Sequence, residues 1–423
     1  ALTVDTTYAL ISVTNVCTVT LTGSAVITVS NDPTATFTAN TVCSGTAGTL
    51  TFTGTPGAVV DFSDGTSTFS VTLDASGSAT YTTPILTADA IYTLVSATTT
   101  TPAATAPLTG SATVTVTPLP TATISGTATI CSGSTTVISF AGTANATITY
   151  TINAGANQTV TLDASGNATV TTAALTANTT YALVSVVGAC TATVNGSAVV
   201  TVLPLPTATI AANTICTGNT GTVTFTGTPN AVVTYTDGTS TQTITLNASG
   251  NATYTTPVLT ANTTYTLVSV ATIATPVCTQ LQSASATVIV NQLPVVTATP
   301  GSATICSATN TNIVLSSTII GTTYSWTVVA TGVSGASNSS GDIINQSLTT
   351  TSPGVDGTVV YTITPSANGC AGLPITVQIN VTSRPTVTIT SPSTSYCAGA
   401  TTNITLTSTV PGTTFTWNAL SSN

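Results

Sequence analysis

The chain has 423 residues, of which only 3% are charged: one basic residue, Arg384, stands against ten acids, all Asp, for a net charge of −9. Without a basic patch, nucleic acid and anionic membrane are poor partners, and without His, Lys, Glu or Met the chain lacks an imidazole base and a Schiff-base amine. Hydrophobic residues make up 42% of the chain, which argues against ordinary disorder, yet they form no run of about 18 that would span a bilayer as a helix.

Read from the start, the chain opens in the middle of a pattern, without a signal peptide, and is expected to be a piece of something longer. Apolar residues alternate with Thr, as in TATFTA and SVTLDA. That is the period of half-buried strands, and β-branched Thr, Val and Ile suit a pleated surface. Essentially no helix is expected. Prolines at Pro33, Pro120, Pro206, Pro294 and Pro385 fall at intervals of 87, 86, 88 and 91 residues, and a short strand and a Cys follow each one. A period of this length marks an array of domains rather than a thin solenoid. The expected divisions are a partial domain at 1–31, repeats at 32–119, 120–205, 206–293 and 294–384, and a partial domain at 385–423.

One unit is legible in full from Thr34 to Thr117. Its strand candidates are TATFTA, TLTFTGT, AVVDFS, FSVTLD, ATYTTPIL, YTLVSA and SATVTV, with Gly-bearing turns at TPGA, SDGTS and DASGS. Seven short strands in such a span predict an immunoglobulin-like β-sandwich. L-T-A-x-x-x-Y recurs at Tyr92, Tyr181 and Tyr265. It reads either as a tyrosine corner before the sixth strand or as a half-buried strand Tyr. The fourth unit carries Trp326 in TTYSWTV and the fifth Trp417 in TTFTWNA, at a place where such cores use Trp for packing. The fold class is therefore all-β: a tandem array of Ig-like β-sandwich domains. At each join, TVTVTPLPTATI and VVTVLPLPTATI read as a last strand, a proline stop and a first strand. Proline makes the join short and stiff. With each sandwich about 35–40 Å long, the array is expected to form a stiff rod on the order of 150–200 Å.

Nine cysteines sit at 17, 43, 131, 190, 216, 278, 306, 370 and 397. With no His and no C-x-x-C pair, zinc is not expected. Spacing within units predicts bridges Cys131–Cys190, Cys216–Cys278 and Cys306–Cys370, closing loops of 59, 62 and 64 residues that would contribute roughly 4 kcal/mol each. Cys43 faces ATTTTPAATA where a partner should stand and is expected to be unpaired, as are Cys17 and Cys397; a Cys17–Cys43 bridge is the alternative. Repeated disulfides imply an oxidising, extracytoplasmic setting. The Asp residues lie mostly in turns, as in Asp64-Gly65, Asp237-Gly238, Asp74-Ala-Ser-Gly77 and Asp163-Ala-Ser-Gly166. Asp61 with Asp64 raises calcium binding, but the third unit has Thr234 and Asp237 there, so the pair is not kept. Catalytic, metal and cofactor sites are not expected, and the chain does not read as an enzyme. Sequons include Asn167-Ala-Thr169, Asn178-Thr-Thr180, Asn251-Ala-Thr253 and Asn262-Thr-Thr264.

ATICSGSTTVISF, LDASGNATVTTAALTANTTYALVSVVGACTATVNGSAVVTVLPLPTATI and YCAGATTNITLTSTVPGTTFTWNA resemble the PKD-like and Ig-like repeats of giant cell-surface proteins of Bacteroidota. These include the adhesins of gliding flavobacteria that the type IX system secretes. The resemblance implies an extracellular location on the surface of a Gram-negative cell, attached to the outer membrane, and a role as the stalk of an adhesin or filament. The expected partners are neighbouring repeats of a longer chain, other copies packed laterally, and surface polysaccharide. Two other readings are an array of carbohydrate- or surface-binding modules and a self-assembling fibre or surface-layer subunit. Abundant Thr-x-Thr raises ice binding, but a flat ice-binding face needs a short regular coil, which an 88-residue sandwich period does not supply.

Overall fold

The computed structural model describes residues 2–420, all of them strand, turn or loop, and no helix among them is long and apolar enough to cross a membrane. The chain divides into two compact units, Ala1–Pro204 and Leu205–Asn423. The first holds an antiparallel hairpin, Thr6–Thr14 with Thr18–Ile27, and two sandwiches. The second holds two sandwiches and a short pairing of Thr388–Thr390 with Thr405–Thr407.

In the first sandwich one sheet is Ala35–Ala39, Thr46–Gly54 and Ser78–Leu86. The facing sheet runs Thr41–Cys43, Ser111–Thr117, Ala90–Thr100, Val59–Ser63, Thr68–Thr72 in spatial order, with Ala103–Pro107 hydrogen-bonded to Ala90–Thr100. The second and third sandwiches repeat this order, and the fourth keeps the larger sheet. Two strands exceed the seven expected from sequence. Ala103–Pro107 forms within the Thr-rich stretch that periodicity left as loop. Thr41–Cys43 is too short to show a period, and it runs parallel to the last strand, with Cys43 opposite Thr117.

Alternation sends one side chain in two to the space between the sheets. Phe52 and Phe62 meet there with ring centroids 4.9 Å apart; Phe140 with Tyr150 (5.0 Å) and Phe225 with Tyr235 (4.8 Å) take the same place in the next two sandwiches. Burying each such ring contributes about 1.5–3 kcal/mol. Tyr92, Tyr181 and Tyr265, at 3%, 3% and 2% exposure, are core side chains packed on these pairs, not half-buried ones. In the fourth sandwich Trp326 is buried against Tyr361 and Ile363 of the sixth strand, and its Nε1–H donates to the Ser337 carbonyl at 3.2 Å. The packing role expected for it holds.

The turns explain the scattered acids. Asp74 Oδ1 accepts from the backbone N–H of Ser76 and Ser78 at 2.7 and 3.0 Å, Asp163 accepts from Ser165 and Asn167, and neutral Asn247 accepts from Ser249 and Asn251. What matters is the acceptor, not the charge. The glycine that closes this turn packs on a second glycine: a Cβ on Gly77, Gly166 or Gly250 would collide with the carbonyl of Gly54, Gly142 or Gly227.

A second device recurs three residues before the hairpin and repeat tyrosines. Oδ1 of Asp5, Asp89, Asn178 and Asn262 accepts from the N–H of Val29, Val116, Val202 and Val290 at 2.7–2.8 Å, and Asp356 does so for Ser383. At Val116, Val202 and Val290 it satisfies a last-strand donor where that strand has left its antiparallel neighbour and pairs with the short parallel one. Replacing Asn178 with Ala should cost about 1–2 kcal/mol of local stability. It should be read as faster hydrogen exchange at the Val202 amide with the amides of Val223 and Phe225 unchanged.

Candidate functional site at the domain junctions

The cysteines do not pair as spacing suggested. Cys43 of the first sandwich is bonded to Cys190 of the second, Cα–Cα 5.9 Å, and Cys216 of the third to Cys370 of the fourth, 5.7 Å. Cys131 and Cys278 are also disulfide-bonded, but the bridges Cys131–Cys190 and Cys216–Cys278 do not form, because Cys190 and Cys216 are already taken. Cys306 is an exposed free thiol, so Cys306–Cys370 does not form either; Cys17 and Cys397 are free and exposed, which also removes the Cys17–Cys43 alternative.

The reason is polarity. The short parallel strand ends at the pole where its sandwich hands the chain on: Cys43 lies in register with Thr117, Cys131 with Leu203, Cys216 with Asn291 and Cys306 with Thr382. The other cysteine sits in the hairpin that follows the sixth strand, at the pole where the chain arrives. Beside Cys190, a Cβ on Gly188 would lie 3.7 Å from Pro120. Beside Cys370, Gly372 is pressed on the Pro294 carbonyl, and Asn291 Nδ2 donates to the Asn368 carbonyl at 3.0 Å. The two cysteines of one sandwich thus stand at opposite poles, while Cys43 meets Cys190 and Cys216 meets Cys370.

Each bridge runs alongside a proline linker. Ser44 N–H donates to Thr117 O at 2.9 Å, and Thr143 N–H to Thr121 O at 3.0 Å, so both ends of Pro118–Thr121 are tied to the sandwich they touch. Pro120 and Pro294 are buried. Two covalent tethers, one backbone and one sulfur, therefore cross the junction side by side. A loop of 147 residues costs the unfolded chain roughly 5 kcal/mol of entropy on the chain-entropy model.

Asp61 and Asp64 do not form a calcium cage. Asp61 accepts from the hydroxyls of Ser70 and Ser96 at 2.6 and 2.9 Å, whereas Asp64 Oδ1 turns to the N–H groups of Thr66 and Ser67. Among the described residues no group of three or more His, Cys, Asp or Glu is placed to hold a metal. The Oδ1 atoms of the sequon residues Asn178 and Asn262 are the acceptors described above, while Asn167 and Asn251 lie exposed beside their turns. The exposed large aromatics belong to the terminal segments: Tyr8 at 55%, Trp417 at 77% and Tyr396 at 39%.

Residues 303–385 match the family model of the PKD-like domain. No curated protein matches the chain. Among solved structures it is similar to a segment of a 1.5-MDa bacterial ice-binding adhesin, with 16% identity and a TM-score of 0.32 over 62% of this chain and 99% of that one. It is similar to titin domains I67–I69 at 15% identity and TM-score 0.33, covering 63% and 98%, and to protocadherin gammaB7 EC3–6 at 12% identity and TM-score 0.32, covering 83% and 100%. The fold, set by the sheet order above, is a tandem array of Ig-like and PKD-like sandwiches.

Two predictions follow from this geometry. Under non-reducing conditions, peptide mapping with thermolysin should recover Cys43 with Cys190 and Cys216 with Cys370; a peptide joining Cys306 to Cys370 would refute the polarity account. Stability should be flat across a wide pH range. Backbone donation from Ser240 holds Asp237 at about 2, donation from Ser67 lowers Asp64 and the Ser76 hydroxyl lowers Asp74. These depressed groups stabilise the fold above their unfolded pKa of about 3.9 and lose that contribution as pH falls through the folded values. Burial pushes Tyr235 and Tyr361 up to about 12; their contribution is complete below about 10 and disappears as pH rises past it. The denaturant midpoint should therefore fall below about pH 4 and above about pH 10, with no step near neutrality, where His would titrate.

Proposed function

We propose that this chain is a structural stalk segment of a large extracellular adhesin or surface filament, which holds an adhesive or otherwise functional end away from the cell. The observation that carries the reading is the junction: successive sandwiches joined by a proline linker and a disulfide beside it. A recognition array would gain little from fixing its modules so closely, whereas a spacer depends on it. The aromatic side chains of the four sandwiches, which a sugar-binding array would present to solvent, are mostly in the cores. The bridges fit an oxidising compartment, and the resemblance of the repeats extends the reading to a Gram-negative cell surface, outer-membrane attachment and export by the type IX route of gliding bacteria. Neighbouring repeats are the first partners. A nearly uncharged, Thr-coated surface also lets copies lie side by side with little repulsion.

The test is binding of the oxidised chain to a panel of surface polysaccharides, glass and hydrophobic surfaces. A spacer should show no saturable binding. Saturable binding near one ligand per sandwich would make each repeat a recognition module and overturn the stalk reading.

A further inference from the structure

We propose that the hairpin Thr6–Thr14 with Thr18–Ile27 of one copy of this chain docks on segment 385–420 of a second copy, and that a disulfide from Cys17 of the first to Cys306 of the second locks the joint. The inference does not rest on the stalk reading. It rests on two independent matches within the chain.

The first match is in the cores. LTVDTTYALISV at 2–13 repeats LTANTTYALVSV at 175–186 almost letter for letter, and the register is the same. Tyr8 pairs with Ala25 as Tyr181 pairs with Ala198, and Val13 with Val19 as Val186 with Ala192. Tyr181, Leu183, Val186 and Val200 are buried, whereas Tyr8, Leu10, Val13 and Ile27 are exposed. The hairpin is thus the sixth and last strands of a sandwich with its core side open. Segment 385–420 is the opposite half. Thr388 pairs with Thr407 as Thr297 pairs with Ser316. Val387, Ile404 and Trp417 are exposed where Val296, Ile313 and Trp326 of the fourth sandwich are buried. Val387, Ile389, Leu406, Phe415 and Trp417 line an open cavity. The stretches around Cys397 and Trp417 are loop, while their equivalents Ser302–Cys306 and Thr323–Thr331 are strands. Those equivalents pair with Ile375–Thr382 and Gly357–Ala367, the last and sixth strands, which are the two that the hairpin supplies. Strands that lack a ladder partner accept one from another chain. The two strands that neither segment contributes, equivalent to Asn157–Thr161 and Asn167–Thr171, lie at sheet edges in the second sandwich, so the pairing between the halves needs neither.

The second match is in the cysteines. Six are disulfide-bonded, and Cys17, Cys306 and Cys397 are exposed thiols. Cys306 stands opposite Thr382 in parallel register, as Cys43 stands opposite Thr117 and Cys216 opposite Asn291. Cys17 follows Tyr8 at the spacing by which Cys190 follows Tyr181 and Cys370 follows Tyr361. A hairpin docked on segment 385–420 therefore brings Cys17 to Cys306, as Cys190 is brought to Cys43 and Cys370 to Cys216. Cys397 then faces a first sandwich whose hairpin after the sixth strand holds no cysteine, and it stays a thiol. The bond forms by exchange with a small-molecule disulfide. The Cys306 thiolate displaces one thiol from it, the Cys17 thiolate displaces the other from Cys306, and the two protons pass to the released thiols.

The test oxidises the full chain with glutathione disulfide at rising protein concentration and separates the products on a non-reducing denaturing gel. A ladder in steps of 41.6 kDa is expected, with thermolysin peptides that join Cys17 to Cys306. Cys17→Ser or Cys306→Ser should abolish the ladder, and Cys397→Ser should leave it unchanged. Leu10→Asp keeps both thiols but charges the docking face, and should slow the ladder roughly tenfold or more. Recovery of the Cys43–Cys190 peptide from that variant shows that its sandwiches have folded. The proposal is overturned by the lack of a ladder, by cross-links through Cys397 or between two Cys17 residues, or by a Leu10→Asp ladder as fast as the wild type's. It is equally overturned if Cys306 of the native protein is joined to a cysteine outside these 423 residues.

Discussion

A β-sandwich has two poles, and a covalent bond can join only groups at the same one. In this chain the cysteine that follows the first strand is carried on a short parallel strand to the pole where the backbone departs, and the cysteine after the sixth strand sits in a hairpin at the pole where the backbone arrives. The second, third and fourth sandwiches therefore each offer one sulfur forward and one backward, while the first offers only Cys43, forward. The bridges from Cys43 to Cys190 and from Cys216 to Cys370 depend on that placement.

With so little charge, the molecule performs by hydrogen bonding what more highly charged proteins do with ion pairs. Carboxylates and amides serve interchangeably: Asp74 and Asn247 close the same turn, and Asp89 and Asn178 satisfy the same last-strand donor. Asp64, Asp74 and Asp237 are favoured in their ionised form by N–H and hydroxyl donors rather than by cations. The fold is thus expected to be insensitive to salt, since screening acts on charge pairs that the chain scarcely has.

Much of the architecture was legible along the chain. Alternation of Thr with Val, Ile and Phe marks strands because a pleated backbone faces successive side chains oppositely, and the spacing of Pro33, Pro120, Pro206 and Pro294 marks the joins. The burial of Trp326 was likewise readable from its place in a strand; that of Tyr92, Tyr181 and Tyr265 was not, because the pattern left a half-buried strand position equally open. Less visible were Thr41–Cys43 and Ala103–Pro107, the first too short to carry a period and the second hidden in a Thr-rich stretch. The recurring Asp or Asn before the repeat Tyr, at Asp5, Asp89, Asn178 and Asn262, is visible in the sequence, but its donor lies 24–28 residues further on and no local pattern points to it.

Strand content, repeat length and the lack of His, Lys and Glu were determined by the sequence alone, because they depend on local pattern and composition. Which cysteines meet was decided only by tertiary structure. The spacing of Cys131 from Cys190 suggests a pair, but distance along a chain says nothing about which pole of a sandwich a residue reaches. That depends on strand direction, and the parallel pairing of Cys43 with Thr117 turns the first cysteine toward the next domain.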